Sequence, residues 1–333
     1  MKKIRWGILS TAKIGREKVI PALQKGKYCE VVAIASGNAI RLREVAGSLH
    51  IPKTYDSYER LLADPEIDAI YIPLPNHLHV EWSIKAIHAG KHVLCEKPIG
   101  LSSGEALQLL NVAKEYPHLK VMEAFMYRFH PQWKATKQLI KDGRIGELKT
   151  IQSFFSYHNI DPANIRNRKE IGGGAMMDIG CYCISFARYL FDQEPENIFS
   201  VIDTDPAMEI DRMVSVILQF AHGTSTFVCS TQLFPFQRVN IMGTAGRIEI
   251  EIPVNAPPDK VTKINIFSAE GNEEIRFEPV DQYTIQADEF SKAILNIGGA
   301  LTPLEDAVSN MKVLETILKD NSGRGSRRGL LAE

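Results

Sequence analysis

Short apolar runs alternate with amphipathic stretches over the first third of the chain. IRWGIL (4–9) and VVAIAS (31–36) are apolar almost throughout, which predicts strands buried on both faces. Residues 14–26 between them carry helical spacing that closes at Gly26, and a second helical stretch runs to His50. Residues 68–72, 92–95 and 120–123 supply further short apolar strands, separated by helical patterns over 77–89 and 102–116. The first of those helices stops at Ala89-Gly90, a C-terminal glycine signal. This alternation predicts a parallel sheet covered by helices on both faces, with ligands at the carboxyl ends of its strands.

The rhythm changes after about residue 124. Residues 131–142 read as a helix, 147–157 as a long strand and 176–191 as a further helix. Strands then dominate. MVSVILQF (213–220) and TSTFVCSTQL (224–233) flank Ala221-His222-Gly223, a hairpin signal, and Val214, Val216, Leu218 and Phe220 share one face of the first. Further strands are predicted at 237–243, 246–252 and 262–267, and helices near 284–297 and 303–319. The expected architecture is α/β: a doubly wound parallel sheet over 1–124, then an α+β domain over 125–333 with a large, open, mainly antiparallel sheet.

Composition fits two packed domains. The chain has 333 residues, 44% of them hydrophobic, and a formal net charge of −1. Such a balance argues against nucleic acid and membrane surfaces as partners. The apolar stretch behind Lys2, Lys3 and Arg5 is short and holds Ser10, Thr11 and Lys13, so no signal peptide or membrane span is expected. The basic stretch 323–331 reads as a loosely held terminus. Five cysteines form no CxxC pair, which fits reduced thiols in the cytoplasm. Cys181 and Cys183 lack nearby histidines, so no metal site is expected.

GILSTAKIG (7–15) sits where a dinucleotide-binding turn would carry three glycines; Ser10 and Ala12 fill the first two places and Gly15 the last. Small side chains still admit a phosphate, and Thr11, Lys13 and Ile14 place the next helix's free amides beside it. The second strand ends in SGNAIR (36–41). An Asp or Glu there would accept a ribose 2′-hydroxyl, whereas Ser36, Gly37, Asn38 and Arg41 can bind a 2′-phosphate. The plainer alternative is a helix cap with a solvated arginine. YIPLPNHLH (71–79) ends a strand with two prolines, and Pro73, Leu74, Asn76 and His79 are expected to line the cofactor. His77 and His79 are two apart and diverge on a helix, unlike metal ligands.

GKHVLCEKP (90–98) ends a buried strand in Glu96-Lys97-Pro98. A lysine there serves proton transfer or polarisation if partly buried; otherwise it is a snorkelling surface cation. In EAFMYRFHP (123–131), Arg128 either lies along the cofactor or bridges the domains. IGGGAMMDIGCY (171–182) runs three glycines into a helix carrying Asp178 and Tyr182 on one face. A carboxylate that holds a hydroxyl and a phenol that exchanges a proton make an acid–base pair. The plain reading is a core aromatic and a first-turn carboxylate.

Together, GILSTAKIG, PNHLH, AGKHVLCEKP, MEAFMYRFHP and GGGAMMDIGCY resemble the glucose–fructose oxidoreductase and inositol dehydrogenase family over nearly the whole chain. Tyr182 stands where many relatives carry histidine, which is similar to the branch with dimeric dihydrodiol dehydrogenase and NADP-dependent xylose dehydrogenase. The resemblance implies a Rossmann domain followed by a substrate-binding and oligomerisation domain. Lys97 then matches the catalytic lysine, Tyr182 the proton-exchanging residue and Asp178 the substrate-orienting carboxylate. Arg128 and Arg166 match positions that face the cofactor, and SGNAIR resembles an NADP-holding stretch. The expected activity is NADP(H)-dependent hydride transfer, with NAD as a possible substitute, on a sugar or related cyclic polyol. A homodimer or homotetramer through the open sheet is expected. The rival readings are a non-catalytic dinucleotide sensor and an enzyme that retains NADP and recycles it between two sugars.

Overall fold

The structure, a computed structural model, describes residues 2–320; the basic stretch 323–331 lies outside them. Two compact units are present. The first holds the chain to Pro131 with Ala256–Val261 and Glu278–Val308, and the second holds Gln132–Asn255, Thr262–Phe277 and the chain from Ser309.

The first unit runs β1 (Ile4–Leu9), α1 (Ile20–Lys25), β2 (Cys29–Ala35), α2 (Ala39–Ser48), β3 (Lys53–Tyr55), α3 (Tyr58–Leu62), β4 (Ala69–Ile72), α4 (His79–His88), β5 (His92–Cys95), α5 (Ser103–Glu115) and β6 (Val121–Glu123). A wide π-type turn at Gly15–Val19 leads into α1. All six strands are parallel in the order β3-β2-β1-β4-β5-β6. The order reverses beside β1, so the strand ends β1, β2, β4 and β5 open onto one crevice-forming edge. Trp6, Ile8, Ile34, Tyr71 and Leu94 of the sheet pack with Ile20, Leu23, Leu42 and Val45 of the helices in one buried cluster. This is the doubly wound sheet that the apolar runs predict.

The second unit begins within α6 (Pro131–Lys141) and continues through β7 (Leu148–His158), α7 (Cys181–Phe191), β8 (Asn197–Thr204), β9 (Asp211–Phe220), β10 (Gly223–Ser230), β11 (Gln232–Gly243), β12 (Gly246–Ile250), β13 (Thr262–Ser268) and β14 (Gly271–Phe277). Its eight strands lie in the order β14-β13-β12-β11-β7-β10-β9-β8, antiparallel except for the β7–β10 pair. Val214, Val216, Leu218 and Phe220 are all buried, as their alternation predicts. On the same side, Phe186 of α7 stacks on Trp133 of α6, with ring centroids 4.5 Å apart. On the opposite face Phe199, Val201 and Ile217 are exposed.

The chain then returns to the first unit through α8 (Gln282–Ile294), and α9 (Leu304–Asp320) follows. Phe290 meets the Trp6 ring at 5.6 Å, and Trp6 Nε1–H donates to Ser291 Oγ at 3.3 Å. The Asp288 carboxylate accepts the Lys27 and Tyr28 amides at 3.1 and 2.9 Å. The expected contiguous division into 1–124 and 125–333 is therefore redrawn, because the apolar face of α8 is buried in the first core. Among the described residues no helix is long and apolar enough to cross a membrane.

Candidate active site

β1 delivers the chain to Ser10, whose φ of 85° is the left-handed conformation that a dinucleotide turn normally reserves for glycine. The serine is held there by its own groups. Its amide donates to Ala35 O at 2.8 Å, and its Oγ accepts the Ala12 amide at 3.2 Å and lies 3.4 Å from Pro73 O. Thr11 is buried, and its carbonyl accepts Arg16 Nε–H at 3.1 Å. Lys13 is exposed and Ile14 half-buried at the helix start, where first-turn amides lack intrahelical partners. A β-carbon added to Gly15 would meet nothing nearer than Pro73 Cγ at 3.6 Å. This donor set fits a dinucleotide phosphate, and the first glycine position rather than the third bears the conformational demand.

At the end of β2, Ser36 Oγ accepts the Asn38 amide at 3.2 Å, and Asn38 Oδ1 accepts the Arg41 amide at 3.0 Å. The cap reading of Asn38 is thus realised. It leaves Gly37 facing open space and the Arg41 guanidinium exposed, without a carboxylate partner among the described residues. Cap and anion site coexist, because the cap uses side-chain oxygens and backbone amides while the guanidinium charge stays outside.

The loops after β4 and β5 are tied together from behind. His79 is fully buried, with Nδ1 2.7 Å from Pro98 O and Nε2 2.8 Å from Leu74 O. Burial pushes its pKa down to about 4. A neutral ring donates to one of these two carbonyls, which ties His79 to the loops that carry Pro73, Leu74 and Pro98. Tyr71 donates its hydroxyl to Glu96 Oε1 at 2.7 Å, and the Ile99 amide donates to Glu123 Oε1 at 2.8 Å. Lys97, half-buried, lies within the segment these three contacts fix. Arg128 is drawn inside the first unit, with Nη2 2.8 Å from Asp306 Oδ2 and Nε donating to Tyr127 Oη at 3.3 Å. Tyr71 and Glu123 escape sequence reasoning because both read as strand core.

In the second unit a left-handed Gly172 (φ 83°) opens the glycine run, and the Gly173 and Gly174 amides donate to Arg168 O and Arg166 O, each at 2.9 Å. A β-carbon at Gly173 would fall 2.7 Å from both of those carbonyl oxygens, so only glycine lets the loop lie against the helix start. The π-type turn Met176–Gly180 follows, and then α7. Asp178 Oδ2 accepts Tyr157 Oη–H at 2.7 Å and Arg166 Nε–H at 3.0 Å. Burial and the Asp178 charge push the Tyr157 pKa up, which keeps this phenol a donor. Tyr182, one turn on, is buried, with Phe155 edge-on at 6.1 Å and Phe186 at 6.4 Å. Its ring is core, as the plain reading has it, and the packing fixes its direction. Arg166, expected to face the cofactor, pairs here with the Asp178 carboxylate.

Residues 4–125 match the oxidoreductase family with an NAD-binding Rossmann fold, and residues 133–249 match the GFO/IDH/MocA C-terminal domain. The chain belongs to the GFO/IDH/MocA oxidoreductase family. It is 44% identical over 323 residues to an uncharacterised oxidoreductase of Rhizobium meliloti, covering 95% of this chain and 96% of that one. It is 35% identical over 315 residues to D-xylose 1-dehydrogenase (NADP(+)) 2 of Haloferax volcanii, covering 94% and 95%. The 3-ketoreductase KijD10 of Actinomadura kijaniata, solved with NADP and TDP-benzene, superposes with a TM-score of 0.88 at 27% identity, over 96% of this chain and 98% of that one. The first unit thus carries the Ser10–Gly15 turn and the Lys97 segment, and the second carries the Asp178 carboxylate one helical turn from Tyr182.

Proposed function

We propose that the protein is an NADP(H)-dependent oxidoreductase that moves a hydride between the nicotinamide and a sugar or related cyclic polyol. The observation that carries this reading is the Asp178 carboxylate, oriented by Tyr157 and Arg166 one helical turn from Tyr182. A carboxylate so held is an acceptor of fixed direction for a substrate hydroxyl, and a sensor of dinucleotides has no use for it. The names of the xylose dehydrogenase and of the KijD10 complex support NADP as the cofactor.

When bound, NADP⁺ supplies the hydride acceptor at nicotinamide C4. Tyr182 takes the alcohol proton during oxidation and returns it during reduction. We assign Lys97 the role of stabilising the phenolate form and sharing that proton, because an ammonium favours the charged form of a phenol. Asp178 accepts a neighbouring substrate hydroxyl and fixes which carbon reacts. Ser10, Thr11, Ala12, Lys13 and Ile14 hold the pyrophosphate, while Ser36, Gly37, Asn38 and Arg41 hold the 2′-phosphate and favour NADP over NAD.

The test is a panel of aldoses, keto-sugars and cyclic diols assayed with NADP⁺ or NADPH and, in parallel, NAD⁺ or NADH. Turnover of at least one sugar with the NADP pair ahead of the NAD pair is expected; no turnover of any compound would refute the reading. The same proposal includes self-association through the open sheet face, where Phe199 and Ile217 are cross-strand neighbours and exposed. Sedimentation of Phe199→Glu should show smaller particles than the unaltered chain, and identical particles would count against that face. It also includes a cytoplasmic setting, supported by five free, buried thiols, and recovery in a membrane or exported fraction would oppose it.

A further inference from the structure

We propose that Asp211, at the start of β9, is a positioning residue for this reaction, its carboxylate clamping the entry of the helix that carries Asp178 and Tyr182. The inference rests on the reading above, and its test separates the two.

A helix start leaves its first amides without partners, and a Ser, Thr, Asp or Asn just before it normally accepts one of them. Here three glycines and Ala175 precede the turn, and no side chain at that position makes a cap hydrogen bond. The acceptor comes instead from 35 residues further along the chain: the Met176 amide donates to Asp211 Oδ2 at 2.6 Å. The Ala175 amide contributes to the same carboxylate. Gly174 completes the clamp. Its φ is 115°, and a β-carbon there would fall 1.9 Å from Asp211 Oδ1, so the carboxylate occupies the space that a side chain at 174 would fill.

The clamp continues directly into the reactive groups. The Asp178 amide donates to Gly174 O at 3.1 Å, while the Gly174 amide holds Arg166 O, whose guanidinium in turn contacts Asp178. One carboxylate therefore fixes the backbone from which the Asp178 carboxylate and, one turn later, the Tyr182 phenol project. Among the described residues no cation offsets its burial: the adjacent Arg212 is turned to Asp203 at 2.8 Å, and desolvation pushes Asp211 up to about 7. An apolar side chain would fill this strand position without that desolvation cost, but it would leave the two amides unmet. The third glycine of GGG is thus explained by a residue far away in sequence.

The test compares Asp211→Asn and Asp211→Ala with the unaltered enzyme by amide hydrogen exchange, NADPH fluorescence titration and steady-state kinetics on the best sugar of the panel. In Asp211→Ala, exchange in peptides spanning 175–182 should accelerate about tenfold or more relative to peptides of β1 and β2. NADPH affinity should stay within about twofold, and kcat should fall about tenfold or more, with a smaller change in sugar KM. Asn keeps one acceptor oxygen and should recover part of kcat. Unchanged exchange at 175–182, or kcat within about twofold in Asp211→Ala, overturns the proposal. So does uniform acceleration across the second unit with an unaltered KM-to-kcat balance in both variants, which marks a purely structural role. If the unaltered enzyme turns over no sugar, the functional reading fails by itself, and the exchange data still decide the clamp.

Discussion

Tyr157 donates its hydroxyl to Asp178 Oδ2 at 2.7 Å, and Arg166 reaches the same oxygen from the other side at 3.0 Å. The two donors sit on β7 and on the loop before the glycine run, so two separate segments fix a carboxylate carried by a third. A hydrogen bond to a charged group contributes roughly 1.5–3 kcal/mol. Tyr157→Phe should therefore lower kcat/KM for the preferred sugar by about tenfold or more while leaving NADPH affinity unchanged. Steady-state kinetics with a parallel NADPH titration check this, and an unaltered kcat/KM would remove Tyr157 from the site.

Ser10 holds a φ of 85° at the first glycine position of the turn. Left-handed backbone costs a non-glycine residue on the order of 1 kcal/mol, and a β-branched side chain more. Ser10→Gly should bind NADPH as the unaltered chain does, and Ser10→Val should bind it about tenfold more weakly or worse. Fluorescence titration distinguishes them; equal binding by all three would mean that the turn does not cradle the dinucleotide.

Arg41 is exposed beyond the Asn38 cap and has no carboxylate partner among the described residues. Arg41→Ala should weaken NADP⁺ by about tenfold or more and leave NAD⁺ within about twofold, because only NADP⁺ carries the 2′-phosphate that a guanidinium binds. A matched loss for both cofactors would place Arg41 elsewhere on the nucleotide.

The doubly wound sheet was legible in the sequence because strands buried on both faces leave uninterrupted apolar runs, such as IRWGIL. Strands β8 and β14 were not. In NIFSVIDT apolar residues fall on both faces, and GNEEIRF is a charged sheet edge, the usual protection of an unpaired strand. β3 and α3, of three and five residues, are too short to show a period. The helical pattern of α8 was plain, yet nothing local reveals that Phe290 packs on Trp6. Lys97, Asp178 and Tyr182 stand in motifs that the sequence alone makes recognisable. Tyr157 and Asp211 looked like ordinary strand residues, because their partners lie 21 and 35 positions away.

His79 and His92 are held neutral by their surroundings. His79 is fully buried, and its neutral ring donates to one of two flanking carbonyls, while His92 Nδ1 accepts the Lys120 amide at 2.9 Å. Burial lowers both from 6.5 to about 4. Between those values the unfolded chain binds protons that the folded chain refuses. Stability is therefore full above about pH 6.5 and is lost as pH falls towards 4. Tm measured against pH should fall across that window, and His92→Gln should show a shallower fall. A flat profile, or an identical slope in the variant, would contradict the neutral-histidine picture.

Proton exchange by Tyr182, coupled to hydride transfer with NADP, is read from kcat of Tyr182→Phe. Positioned acid–base groups are worth ~10²–10⁴-fold in rate. With NADPH affinity and Tm preserved, kcat for the preferred sugar should fall by that factor. A variant that keeps kcat within about threefold of the unaltered enzyme would exclude Tyr182 as the proton-exchanging group.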